Sequence, residues 1–209
     1  LPESGVYEPV AYNDPAGYER ITINEGFVAK YEGNKVRLSS VTSYQYLDDE
    51  MTLDQDFTPK SMFTIKQMQR EHSIIEDFVI RNADNNSRWQ WLCGAFAFAK
   101  WLDMSSPVTF KEDGINELIL KNANAGIAST GIFPDGTAIE IGTDEFLISS
   151  DFDIPTYGAA LYHQSSLSLG RWVLTAGLRL DFEYTAMDYN SHGTIPYRFN
   201  LTMPNFKDL

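Results

Sequence analysis

The sequence predicts a mainly β chain: an antiparallel up-and-down meander of about six to eight long strands, with one short helix in a long loop. Three observations predict it. The first is a strict two-residue period, clearest between Arg171 and Asp188. Its even positions are Trp172, Leu174, Ala176, Leu178, Leu180, Phe182 and Tyr184, and its odd positions hold Arg171, Arg179, Asp181 and Glu183. Side chains alternate across a strand, so one face is an apolar ribbon and the other carries the charge. The second is aromatic spacing: Trp172 and Tyr184 close the ribbon twelve residues apart, as do Trp89 and Trp101 elsewhere. Twelve residues at about 3.3 Å, tilted by roughly 45°, rise about 28 Å, the height of the apolar band of an outer-membrane barrel strand with its aromatic girdles. The third is that short and long connections alternate strictly along the chain.

The elements follow in order. Residues 1–17 read as a loop, punctuated by Pro2, Gly5, Pro9, Pro15 and Gly17. A strand is expected over 18–31, with Ile21, Ile23, Phe27, Ala29 and Tyr31 on one parity. After the turn Glu32-Gly33-Asn34 comes a second strand, 35–47, where Val36, Leu38, Tyr44 and Tyr46 share a face with Ser40 and Thr42. Residues 48–66 read as a long acidic loop. A third strand, 67–81, alternates less cleanly because Ile74 and Ile75 are adjacent. A polar turn leads to the fourth, 88–102, whose odd face holds Trp89, Trp91, Cys93 and Trp101 and is favoured as the outer one. Residues 103–153 form the longest loop. It is expected to hold a helix from Gly114 or Ile115 to Asn124, N-capped by Asp113, and a tight turn at Phe133–Thr137 in a small hairpin ending near Ile141. The fifth and sixth strands, 154–169 and 171–188, flank Gly170. A polar loop and a short strand at 195–201 close the chain.

Composition narrows the function classes. The net charge of −13 disfavours nucleic acid or an anionic membrane surface as a partner, since both need basic patches. No apolar run approaches the ~18 residues of a spanning helix, which does not bear on a barrel, whose strands hide apolarity in alternation. Cys93 is the single cysteine, so no internal disulfide forms. The opening Leu-Pro-Glu-Ser is polar and is not a signal peptide.

Four passages carry a family resemblance. Trp172-Val173-Leu174-Thr175-Ala176-Gly177-Leu178-Arg179-Leu180-Asp181 resembles the "LTAGLRYD" strand of TonB-dependent outer-membrane receptors. Asp77-Phe78-Val79-Ile80-Arg81-Asn82 is similar to their "ELRLxS" strand, with Asp for Glu and Asn for Ser. Trp91-Leu92-Cys93-Gly94-Ala95-Phe96 resembles the "WLVGLFY" strand that follows it. Leu38-Ser39-Ser40-Val41-Thr42-Ser43-Tyr44, with Asp54-Gln55-Asp56 beyond, resembles the "SITAYR…DxD" passage. They appear in the family's order, and the resemblance covers roughly residues 18–190. The resemblance implies a barrel of about 22 strands around a plugged lumen, of which this sequence would be an internal portion of the wall with the plug absent. It further implies the outer membrane of a Gram-negative bacterium, uptake of a ferric siderophore, cobalamin or glycan, and lipid and the remaining strands as partners. TonB and the plug would be met only through regions outside this sequence. Such a piece is not transport-competent alone.

Candidate chemistry is sparse. His72, His163 and His192 show no metal-binding spacing, and neither a phosphate loop nor a nucleophile elbow occurs. No enzyme activity and no cofactor is expected. Asp48, Asp49, Asp54 and Asp56 are weak candidates for a cation site, with oxygen ligands suited to Ca²⁺ but without EF-hand spacing; a solvated outer loop is the plainer reading. Arg179, Asp181 and Glu183 either line a wet lumen or form cross-strand ion pairs. The tryptophans read as girdle anchors, or alternatively as a sugar-stacking platform. Two further readings stay open: a soluble all-β ligand- or carbohydrate-binding module, and a complete small outer-membrane barrel of about eight strands.

Overall fold

The computed structural model of the chain describes residues 13–201. Its strands are β1 (Gly17–Glu32), β2 (Val36–Asp54), β3 (Phe63–Asn82), β4 (Trp89–Ser105), β5 (Val108–Phe110), β6 (Ala138–Ile141), β7 (Phe146–Leu169), β8 (Trp172–Thr185), β9 (Asp188–Gly193) and β10 (Tyr197–Asn200). Six of them are long and stand side by side in the order β1-β2-β3-β4-β7-β8, every neighbour antiparallel. This is the expected meander in a barrel-like arrangement. The wall is open: among the described residues β1 pairs only with β2, and β8 only with β7.

The strands outrun their expected lengths on one side. The connection expected over 48–66 shrinks to 55–62, because β2 continues to Asp54 and β3 begins at Phe63. The charges that read as a loop are paired across strands instead. Arg20 meets Asp49 at 2.6 Å, Lys66 meets Glu50 at 2.7 Å, and Arg70 lies 3.5 Å from Asp48. Opposite charges at facing sites favour the ladder. Ile74 and Ile75 do not interrupt β3; they point to opposite faces, as neighbours in a strand must.

Beyond β8 the chain also differs from expectation. The strand expected to reach 188 is broken at Ala186 and Met187, then resumes as β9 where a polar loop was expected. The register is unbroken: Thr156 faces Thr185 and Asp153 faces Asp188. The cause is Pro155. Ala186 donates its N–H to the Pro155 carbonyl at 3.2 Å, but proline has no N–H to return, so one rung is missing.

The 106–145 connection is built rather than open. Strand β5 bridges β3 and β7, and Phe63, Phe110 and Phe146 stack in a row across them, Phe110 on Phe146 at 5.2 Å. A helical run follows in three pieces, Glu112–Gly114, Ile115–Leu120 and Lys121–Thr130, the middle one π-helical. It starts earlier and ends later than expected. Its N-cap is Lys111, with no capping side chain. Asp113 lies in the first turn and accepts the Ser61 amide at 2.9 Å. Gly131 ends the run at φ 63°, the left-handed position that favours glycine. The turn at 133–137 forms, but not as a local hairpin: β6 pairs with β10, from the far end of the chain. On its other edge β6 meets Asn124, whose side chain bonds both the amide and the carbonyl of Ile139.

Burial is scarce. Among the described residues only Ile115, Phe146 and Ala160 are buried hydrophobics. The chain exposes 15250 Å², where a compact monomer of its mass exposes roughly 9,800 Å². Within the wall, two glycines allow aromatics to lie flat on the sheet. Gly94 faces Tyr162 and Gly158 faces Phe98; a Cβ at Gly94 would stand 2.0 Å from the Tyr162 ring. Tyr162 uses that space to donate to Asp77 at 2.8 Å. We expect Gly94→Ala to displace the ring and destabilise the wall by about 1–3 kcal/mol. Tyr162→Phe should cost about 1 kcal/mol, and the double variant less than the sum, measured by urea unfolding in lipid vesicles.

Candidate functional site

The cross-strand register sorts every wall residue onto one of two faces. The outer face carries Phe27 and Ala29 of β1, Ile74 and Phe78 of β3, Ala95 and Ala97 of β4, Leu161 of β7, and Leu178, Leu180 and Phe182 of β8. The odd face of β4 is therefore on the apolar side, as favoured from the sequence. Leu178 is 78% and Leu180 71% exposed.

Aromatics edge this face at both ends. Toward the long loops, Tyr46 lies 5.0 Å from His72, His72 faces Trp101, and Trp101 packs edge-on against Tyr157 while donating to its hydroxyl at 3.1 Å. Tyr157 faces Tyr184. Toward the short turns, the edge climbs from strand to strand. Trp172 stands level with Leu169 and Trp89 with Leu167. Tyr31 reaches the level of His163 through Leu38, Ile80 and Cys93. A climb of six residues across five strand spacings is about 20 Å over about 24 Å, a tilt of roughly 40°. That matches the tilt of barrel strands against the membrane normal.

Two polar groups interrupt the band, and neither was legible in the sequence. Glu76 accepts the hydroxyls of Ser40 and Thr42. Cys93, 70 residues from His163 in sequence, places its Sγ 3.1 Å from His163 Nδ1. The other ring nitrogen of His163 meets Ser165 Oγ at 2.9 Å, and Trp89 Nε1 donates to the same hydroxyl at 3.1 Å. Both clusters satisfy their polar atoms within the sheet surface, as a group lacking water must.

The inner face is polar. Arg179 lies over the rings of Phe96 and Tyr162 at 5.7 and 5.6 Å. It pairs with Asp181 two residues along the same strand, both nitrogens at 2.8 Å, rather than across strands as expected. Glu183 forms no ion pair among the described residues.

The four candidate aspartates do not converge. Asp48 and Asp49 point to opposite faces of β2, toward Arg70 and Arg20. Asp54 Oδ2 accepts the amides of Asn13 and Asp14, while its buried Oδ1 has no partner. Asp56 accepts the hydroxyl and amide of Thr58 and the amides of Met62 and Phe63. Among the described residues no three His, Cys, Asp or Glu side chains come together to hold a metal ion. Asp56 is a loop clamp. It fixes the 55–62 turn, where Phe57, 69% exposed, is held at φ 52°, a conformation that costs a side-chain-bearing residue energy. The turn is also tied to the helical run, where Glu117 holds the Lys60 ammonium above its ordinary range.

No family model matches the chain, and no curated protein matches it in sequence. Among solved structures it is similar to the ferric yersiniabactin uptake receptor FyuA from Yersinia pestis. The TM-score is 0.60 and the identity 12%, over 90% of this chain and 26% of the receptor. The likeness is one of fold: the chain shares the architecture of about a quarter of that receptor.

The Asp56 clamp gives a pH prediction. Burial opposes ionisation of Asp56, but the bonds from Thr58, Phe63 and Met62 outweigh it and hold the carboxyl below its usual range. A carboxyl whose folded pKa is depressed contributes stability that is complete above its unfolded value, about 3.9, and is lost as the pH falls through the lower folded value. Asp56→Asn should therefore melt lower than the unaltered chain at pH 7. Between pH 5 and pH 3 its midpoint should fall less, read by circular dichroism in detergent. Equal falls would rule the clamp out.

Proposed function

We propose that this chain is part of the wall of a TonB-dependent outer-membrane receptor in a Gram-negative bacterium, serving uptake of a scarce nutrient of the ferric siderophore, cobalamin or glycan class. The observation that carries this reading is the outer face: an apolar band bounded by aromatics whose lower edge climbs at a barrel tilt. The four sequence passages that resemble the receptor family support it, and the similarity in fold to a ferric yersiniabactin uptake receptor agrees.

The partners follow from what lies uncovered. Acyl chains suit the exposed apolar face, because transfer of Leu178, Leu180 and Phe182 out of water is favourable. Further strands suit the edges of β1 and β8, whose backbone groups need hydrogen bonds at membrane depth. The plug and TonB belong to the parent receptor rather than to these residues, so the chain binds and shapes the path without transporting alone. The long-loop end, 55–62 with 106–145 and the β6–β10 unit, faces outward in this reading and meets the nutrient first.

A soluble binding module fits less well. Such a module buries one face of its sheet, whereas here two opposite faces of β8 are exposed throughout. Among the described residues the outer edges of β1 and β8 pair with no further strand, which suits an open portion of wall better than a complete eight-strand barrel.

Two measurements test the reading. The chain should require detergent or lipid to remain dispersed; a monodisperse, detergent-free monomer would sink the proposal. In lipid vesicles, Leu180→Arg on the outer face should destabilise by about 2–4 kcal/mol, the cost of a cation near the bilayer midplane. Thr175→Arg on the inner face should cost less than about 1 kcal/mol, the usual range for a solvated site. Equal costs would remove the assignment of faces.

A further inference from the structure

One rung of the inner face, near the short turns, breaks a rule that the rest of that face keeps. Glu32 of β1 faces Arg37 of β2, and Arg37 faces Arg81 of β3. Among the described residues of the six long strands, Arg37 and Arg81 are the one facing pair of like charges on the inner face. Like charges directly opposite one another destabilise a sheet. A third cation, Lys30, lies two residues from Glu32 on the same face, and only Ser39 and Val79 continue its rung across β2 and β3. Elsewhere the inner cations are matched: Arg20 with Asp49, Lys100 with Glu71 and Arg179 with Asp181. Here only Arg37 is. Its Nε lies 2.7 Å from Glu32, and it donates to Asn85 Oδ1 at 3.1 Å. Those two contacts fix the guanidinium and leave further N–H groups of its five free. Lys30 and Arg81 form no ion pair among the described residues. Three cations and one carboxylate thus line a hollow of about 330 Å³, a local excess of positive charge in a chain of net −13.

We propose that this corner binds a doubly charged oxyanion of the phosphate-monoester class. Two arginines set face to face violate a local rule of sheet design, and such violations gather at functional sites. An anion between the two guanidiniums turns their repulsion into attraction. Guanidinium groups meet phosphate oxygens bidentately, through charge-assisted hydrogen bonds roughly twice as strong as neutral ones. A phosphate monoester carries about −1.5 to −2, which offsets the excess charge of the corner; a monocarboxylate offsets only half of it. Lys30 adds a point charge from the side. The carboxylates of the long connections do not cancel this field, because they stand at the opposite end of the sheet, beyond a Debye length of about 8–10 Å. The site needs only the register of β1, β2 and β3, so it stands apart from the receptor reading.

The test titrates the full chain in neutral detergent at pH 8 with inorganic phosphate and, separately, with acetate, read by isothermal titration calorimetry. Phosphate should bind saturably and at least about tenfold more tightly than acetate, as its doubled charge demands. Arg81→Gln should weaken phosphate at least about tenfold, the loss of hydrogen bonds to a charged group, and Lys30→Gln about threefold. Arg70→Gln, the same change on the outer face at the far end, should alter binding less than about twofold. Stability separates a ligand site from a structural one. Phosphate at about 100 times its dissociation constant should raise the folded-to-unfolded ratio of the unaltered chain about 100-fold, read by urea unfolding. Without phosphate, Arg81→Gln should unfold at the same or a higher urea concentration, since it removes the repulsion. Binding that does not saturate, equal binding of acetate, unchanged binding in both Arg81→Gln and Lys30→Gln, or a lower urea midpoint for Arg81→Gln without phosphate would each overturn the proposal.

Discussion

The structure depends on one constraint: a two-residue period that cannot be shifted. Apolar residues occupy alternate positions along β8, and the facing residues of β7 and β4 continue the same face. A slip of one residue between any two strands would turn a whole strand's apolar set to the polar side. Register, tilt and the placement of both aromatic edges all follow from that alternation. So does the lack of a core. A single sheet with one apolar face has nothing of its own to bury that face against, and its 15250 Å² of exposed surface is the consequence.

Where the apolar band ends, charge takes over the task of holding strands together. Above Tyr46 and Trp101 the partners are Arg20 with Asp49, Arg70 with Asp48 and Lys66 with Glu50. Exposed ion pairs are individually weak, but they stand on a ladder already formed below them. They need only keep the backbone extended. The Phe63–Phe110–Phe146 row and the Asp56 clamp then fasten the loops to that extension. The polar interruptions in the band obey the same economy: Glu76 is tolerated because Ser40 and Thr42 of the neighbouring strand supply its hydrogen bonds, and His163 because Cys93 of the neighbouring strand and Ser165 of its own partner its two ring nitrogens.

Expectation and structure part at particular residues for particular reasons. Asp48, Asp49 and Glu50 read as loop because acidic runs are solvated when alone; their partners lie 16 or more residues away, at Arg70, Arg20 and Lys66. The break at Ala186 was invisible because its cause, Pro155, sits in the facing strand. The pairing of β6 with β10 joins segments too far apart for a turn to announce it. The Cys93–His163 contact spans 70 residues and leaves no local pattern. The candidate aspartates shared a short stretch of sequence, but alternation sent Asp48 and Asp49 to opposite faces.

The sequence by itself determined the meander, its six long strands and the apolar face, because a period of two and the spacing of aromatics are local properties of a strand. Only the tertiary structure decided how far each strand runs, which charges neutralise one another, how the long connection folds into a helix and a two-stranded sheet, and that Arg37 and Arg81 face each other. Those outcomes depend on which residues face each other across strands. Pairing of that kind is a long-range property, and no local pattern encodes it.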